Sequence, residues 1–82
     1  MQPGDPRADP AVIDLIELAG LWIAAAQWQA LETTLERLDD QLTCRFAHNR
    51  EFAQRFRELR RLASDGGSAE EIRRTYRRAT VG

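Results

Sequence analysis

Residues 28–63, WQALETTLERLDDQLTCRFAHNREFAQRFRELRRLA, contain neither Pro nor Gly. Within them Leu31, Leu35, Leu38, Leu42, Phe46, Phe52, Phe56, Leu59 and Ala63 recur mostly at intervals of three and four. That is the period of a helix with one buried face, whereas a half-buried strand alternates in twos. No other segment argues for a strand. The expected fold class is all-α: a small helical bundle or helical hairpin of three to four helices, completed by self-association.

From Leu35 onward the same positions fit a heptad. Leu35 and Leu38, Leu42 and Arg45, Asn49 and Phe52, Phe56 and Leu59, then Ala63 occupy its seam. Arg45 and Asn49 interrupt that seam, and two readings of Asn49 stay open. A polar Asn inside a seam fixes register and oligomer state. Alternatively, His48-Asn49 ends one helix and caps the next. The near boundary is also two-valued: Thr33 and Glu36 match a capping box, while Ala26-Gln27-Trp28 offers a hinge. A break between Ala25 and Thr34 is expected, because one helix from Pro10 to Ser64 is too long for a globular chain.

Upstream, Asp9-Pro10 reads as a helix start, with Asp as N-cap and Pro in the first turn. Residues 1–9, with Pro3, Pro6 and Gly4, form a flexible leader to a single helical domain at 10–82. The helix expected at about 10–26 is apolar almost all round, interrupted only by Asp14, Glu17 and Gly20. Such a helix must be covered on most sides, and the remaining chain is thin cover. Gly20 and Ala24 let another helix approach closely, either within the chain or from a second copy. Downstream, Ser64-Asp65-Gly66-Gly67-Ser68 is a turn with a left-handed cap at one of its glycines. Ser68 and Glu71 then form a capping box for a last helix at about 68–80. Its Ala69, Ile72, Tyr76 and Ala79 share one face.

The chain has 82 residues and a formal net charge of -1, and all 12 of its basic residues are Arg. The charge is unevenly spread. Residues 1–40 carry eight acids against two arginines, and residues 41–82 carry ten arginines against five acids. Such halves pair within a chain or between chains, and they also hint at nucleic acid. The longest uncharged stretch, Leu18 to Leu31, is fourteen residues, short of the roughly twenty a bilayer span needs. No export signal is visible, so a cytoplasmic location with no membrane span is expected.

The sequence offers little chemistry. One Cys and one His cannot supply the four ligands of a structural zinc. Cys44 and His48, with Glu51 beyond them, could meet on one helix, yet no Gly-rich turn near Cys44 provides an oxyanion hole. Asp39-Asp40 and Glu70-Glu71 are neighbours in sequence, so each pair points in different directions. No phosphate loop, dinucleotide fingerprint or metal-binding helix motif is present. No catalytic residue, cofactor or metal is assigned.

Leu35-Glu36-Arg37-Leu38-Asp39-Asp40-Gln41-Leu42, then Arg50-Glu51-Phe52-Ala53 and Leu59-Arg60, resemble the first helix of the AroQ-class, all-helical chorismate mutases. The resemblance covers residues 31–61 and implies an intertwined helical homodimer. By position, the family's two substrate-binding Arg residues on this helix fall on Glu32 and Asn49, and its Lys falls on Arg60. The implied chain is a non-catalytic relative, or a degenerate enzyme or ligand binder that clamps a dicarboxylate with Arg45, Arg50 and Arg60. Trp28-Gln29-Ala30-Leu31 and the Arg-rich last helix with Tyr76 resemble small flagellar export chaperones of the FliT type.

The expected function is a non-enzymatic protein–protein interaction module: a small adaptor, chaperone or inhibitor that forms a homodimer. Its partner-binding residues would be Leu15, Leu18, Trp22 and Trp28 on the apolar side, and Arg73, Arg74, Arg77 and Arg78 on the last helix. Aromatic residues and Arg dominate interface hot spots. A nucleic-acid-binding regulator, using the Arg-rich helix, is the other alternative.

Overall fold

The computed structural model describes residues 5–81. A single 3-10 turn, Pro6–Ala8, precedes four helices: α1 (Pro10–Ala24), α2 (Trp28–Arg45), α3 (Arg50–Ser64) and α4 (Ala69–Val81). No strand is present among the described residues, so the chain is all-α. Each helix packs on the next, and α4 turns back to touch α1.

The helix starts follow local chemistry. The Asp9 carboxylate accepts from the Val12 amide at 3.1 Å, with Pro10 leading the first turn. At α4 the Ser68 hydroxyl accepts from the Glu71 amide at 3.1 Å, as a capping box requires. The expected leader before Asp5 lies outside the described residues. At Pro6–Ala8 the leader is a turn, capped by Asp5, that buries Pro6.

The hinge after α1 lies at Ala25–Gln27, and Thr33 does not start a helix. Its hydroxyl donates inside α2 to the Gln29 carbonyl at 3.2 Å. The Gln27 amide reaches back to the Trp22 carbonyl at 2.9 Å, and the Ala26 amide to Ile23 at 3.1 Å. This is a Schellman closure with Ala26 at φ 56°, a position where Gly is usual. Gly66 occupies the matching place after α3, at φ 77°, and the Gly67 amide returns to the Leu62 carbonyl at 2.8 Å.

The 28–63 stretch is two helices. It breaks at Phe46–Asn49, where Phe46 leaves helical geometry (φ -133°, ψ 44°) and sinks its ring into the core. Asn49 stands at the N-cap of α3 without a side-chain capping bond, so the heptad seam is not one continuous helix. The region that carries the AroQ-class resemblance is accordingly divided between α2 and α3.

The core follows the three-and-four spacing. Leu31, Leu35, Leu38 and Leu42 of α2 are buried, as are Phe56 and Leu59 of α3 and Ile72 and Ala79 of α4. Phe52 and Phe56 meet edge-on with ring centroids 5.1 Å apart, a favoured aromatic geometry. From α1 only Val12, Ala19 and Ile23 are fully enclosed.

Candidate interaction surface

The other three helices do not surround α1, and its wheel shows the result. Val12, Ala19 and Ile23 face inward, and at 100° per residue Leu21 falls on the opposite side. Leu21 is 64% exposed, and Ile13 and Leu18 are each 36% exposed. Ala24 and Ala25 extend the same strip. Apolar side chains are thus left on the outer face of α1, where exposed Asp14 and Glu17 stand immediately on either side of Leu21, and Ile13 and Leu18 lie further out.

The sequence-predicted anchors divide. Leu18 belongs to the open strip. Leu15 is half-buried beside Arg37, Asp40 and Gln41 of α2. Trp22 is held inward: its Nε1 donates to Thr34 Oγ1 at 2.9 Å, and that buried hydroxyl donates to the Ala30 carbonyl at 2.9 Å. Trp28 is half-buried against the core at the start of α2. Leu21 is the most exposed large apolar residue of α1. Its position opposite Val12, Ala19 and Ile23 on the wheel is the sequence signal that would have singled it out.

Beside the strip, α1 and α4 enclose a groove of about 380 Å³. It is lined by Gly20, Ile23 and Ala24 from α1 and by Arg73, Tyr76, Arg77 and Thr80 from α4. Gly20 does permit close approach, and the approaching group is intramolecular. The Tyr76 hydroxyl donates to the Ile16 carbonyl at 2.8 Å. Desolvation, together with the nearby Glu17 carboxylate, holds the Tyr76 phenol above its ordinary value of 10.0. Arg73 and Arg77 line the groove, while Arg74 and Arg78 do not. Arg74 instead approaches Glu70 at 3.7 Å along its own helix.

The charge asymmetry of the sequence is partly resolved between helices. Arg45 binds the Asp9 carboxylate that caps α1, Arg57 binds Asp39 at 2.8 Å, and Arg60 approaches Glu36 at 3.9 Å. Each pair joins the basic half to the acidic half. Among the described residues, no ion pair engages Arg73, Arg77 or Arg78 on α4, nor Asp14 or Glu17 on α1. Arg73 and Arg77 on one side, and Glu17 near Tyr76 on the other, thus leave unspent charges of both signs beside one groove, whereas Asp14 lies on the α2 side of α1 with Leu15, Arg37 and Asp40.

The other sequence candidates do not gather. Arg45 is occupied by Asp9 and Gln41. Arg50 lies at the start of α3, and Arg60 lies almost three turns further along it. Arg50 instead lines a polar cavity of about 470 Å³ with Arg7, His48 and Arg55, and with the acids Asp5 and Glu51. Arg55 Nη1 is buried without a hydrogen-bond partner. Cys44 ends up near the C-terminus of α2, His48 in the loop and Glu51 in α3, and no hydrogen bond joins them. Among the described residues no three His, Cys, Asp or Glu side chains converge as a metal site, and no helix is long and apolar enough to cross a membrane. Compared with known proteins, this chain is matched by no family model, no curated protein and no solved structure.

Proposed function

We propose that this chain is a non-enzymatic, cytoplasmic interaction module of the adaptor, chaperone or inhibitor kind. It presents the outer strip of α1 and the α1/α4 groove to another polypeptide. The single observation that supports this reading is Leu21, 64% exposed on a helix face already carrying Ile13 and Leu18. Rimmed apolar patches of this kind mark contact surfaces. A Leu next to a small-residue groove and two unpaired arginines is the composition of an interface anchor with a polar border. The same surface argues against a nucleic acid as the partner. Glu17 stands beside the groove that Arg73 and Arg77 line, and Asp14 is exposed elsewhere on α1, so a polyanion would meet both signs.

The test is a photo-crosslinking residue placed at position 21 of the full chain in the native host. The same residue placed at Glu58, on the exposed side of α3, is the control. Discrete polypeptide adducts at position 21, absent at 58 and lost when Arg73 and Arg77 are both replaced by Glu, are the expected result. Equal labelling at the two positions would sink the reading.

A further inference from the structure

We infer that the occupant of the α1/α4 face is a second copy of this chain, in a two-fold pair that lays α1 of each protomer along the groove of the other. The inference rests on the interaction-module reading and names its partner. Charge complementarity carries it. The α1 side of the face holds Glu17, close to Tyr76, and α1 has no basic residue. The groove side of α4 holds Arg73 and Arg77, with its two acids confined to the first turn. Among the described residues, none of these three charges makes an ion pair within the chain. A wholly acidic partner helix would satisfy the arginines and set its acids against Glu17. A basic partner would do the reverse.

The partner that satisfies both sides carries the same mixed face. In a two-fold interface every contact occurs twice, so Glu17 of each α1 meets the arginines of the other α4. Between those borders Leu21 of each copy faces an apolar floor of Gly20, Ala24 and Tyr76, lying in the groove of about 380 Å³. Gly20 keeps that floor low, because its Cβ position is already taken by the Tyr76 hydroxyl of the same chain.

Sedimentation equilibrium on the full chain decides the matter. A concentration-dependent dimer is expected. Leu21→Asp raises its dissociation constant by about 30-fold or more, the loss expected for a central apolar anchor. Glu17→Arg and Arg77→Glu each weaken the dimer, and the two together recover most of the affinity, because the cross-chain pair is rebuilt with its signs reversed. These side chains lie at the surface, and a circular-dichroism melt of each variant confirms that it is folded. A monomer at millimolar concentration overturns the inference. So does a dimer indifferent to Leu21→Asp, or a double reversal no tighter than either single one. If the chain is monomeric but position 21 still crosslinks a different host polypeptide, the module reading stands and the second copy falls. If position 21 crosslinks only further copies of the chain, the second copy stands and the adaptor role falls.

Discussion

The Tyr76 hydroxyl lies 2.6 Å from where a Cβ on Gly20 would stand, and so fixes how closely α4 approaches α1. Gly20→Ala brings two opposed effects. Ala favours a helix interior over Gly by about 1 kcal/mol. The new methyl, however, displaces a phenol that is hydrogen-bonded to the Ile16 carbonyl at 2.8 Å, which costs that bond and its packing. Overpacking of this kind costs about 1–3 kcal/mol, so a net destabilisation of about 1 kcal/mol is expected. In the Tyr76→Phe background the obstructing oxygen is gone, and Gly20→Ala becomes neutral or stabilising. Urea denaturation of the four variants measures the coupling; strictly additive values would show that the two residues do not meet.

Tyr76 also gives a pH signature. It is the only Tyr in the chain, so tyrosinate absorbance reports it alone. Desolvation first, and then the Glu17 carboxylate, favour the neutral phenol and raise its pKa above 10.0. A raised folded-state pKa contributes stability that is complete below the unfolded value and is lost as pH rises through the folded one. The chain should therefore lose stability above pH 10, and Tyr76→Phe should remove that component. Glu17→Gln should move the titration midpoint back toward 10.0. A native midpoint at or below 10.0 would contradict the packing of the phenol between α1 and α4.

The hinge after α1 and the turn after α3 share one backbone closure with different residues at its key position. Ala26 has φ 56° and Gly66 has φ 77°. A left-handed conformation costs a residue with a Cβ about 1–2 kcal/mol, part of which is offset by the greater freedom of Gly in the unfolded chain. Ala26→Gly should stabilise by about 0.5–1 kcal/mol, and Gly66→Ala should destabilise by a similar amount. No atom lies within 4 Å of a Cβ at Gly66, so the second effect is conformational and not steric. Thermal melts of the two variants moving in the same direction would refute this account.

The acid limb of stability should depend on Asp9 and Arg45. The Arg45 guanidinium, helped by the Val12 amide, holds the Asp9 carboxyl below its usual 3.8. A depressed carboxyl contributes stability above the unfolded pKa and loses it as pH falls through the folded one. The pair ties the N-terminus of α1 to the last turn of α2, thirty-six residues away in sequence. Arg45→Ala should shift the acid unfolding midpoint to higher pH, and Asp9→Asn should remove the sensitivity to Arg45. Identical acid unfolding curves for the native chain and Arg45→Ala would exclude a role for the pair.

These relationships mark how far the sequence could be read. Asp9-Pro10, Ser68 with Glu71 and Gly66-Gly67 use side chains or backbone freedom suited to the ends of helices, so their local chemistry announced them. The three-and-four spacing picked out Leu31, Leu35, Leu38 and Leu42 because a buried helix face requires it. The break at Phe46–Asn49 carried a weaker signal, His48-Asn49, which the sequence left open between a helix boundary and a polar seam position. Arg45 and Asn49 interrupt the apolar seam there, but an Asn suits a seam as well as a cap, and Asn49 makes no capping bond with its side chain. The hinge at Ala26-Gln27-Trp28 was one of two readings, and the Thr33/Glu36 pattern competed with it because Ala26 adopts a glycine-like conformation without being glycine. The candidate surface was half legible. Leu18 lies on it, but Trp22 does not, since its bond to Thr34 depends on how α1 crosses α2 and not on any spacing along the chain.

The four arginines of α4 should separate in their effect on association. Arg73 and Arg77 line the groove, while Arg74 and Arg78 point elsewhere on the helix. Charges at the border of an interface act mainly on the rate of encounter and are screened by salt. Arg77→Ala should weaken association by about three- to tenfold at low ionic strength, on the order of 1 kcal/mol. Raising the salt should narrow that difference. Arg78→Ala should leave affinity within about twofold, the change expected of a solvated charge. Comparing the two by sedimentation or surface plasmon resonance removes composition as a variable, because both variants lose one Arg from the same helix. Equal losses would mean that the helix acts through bulk charge, and the groove would no longer explain the binding.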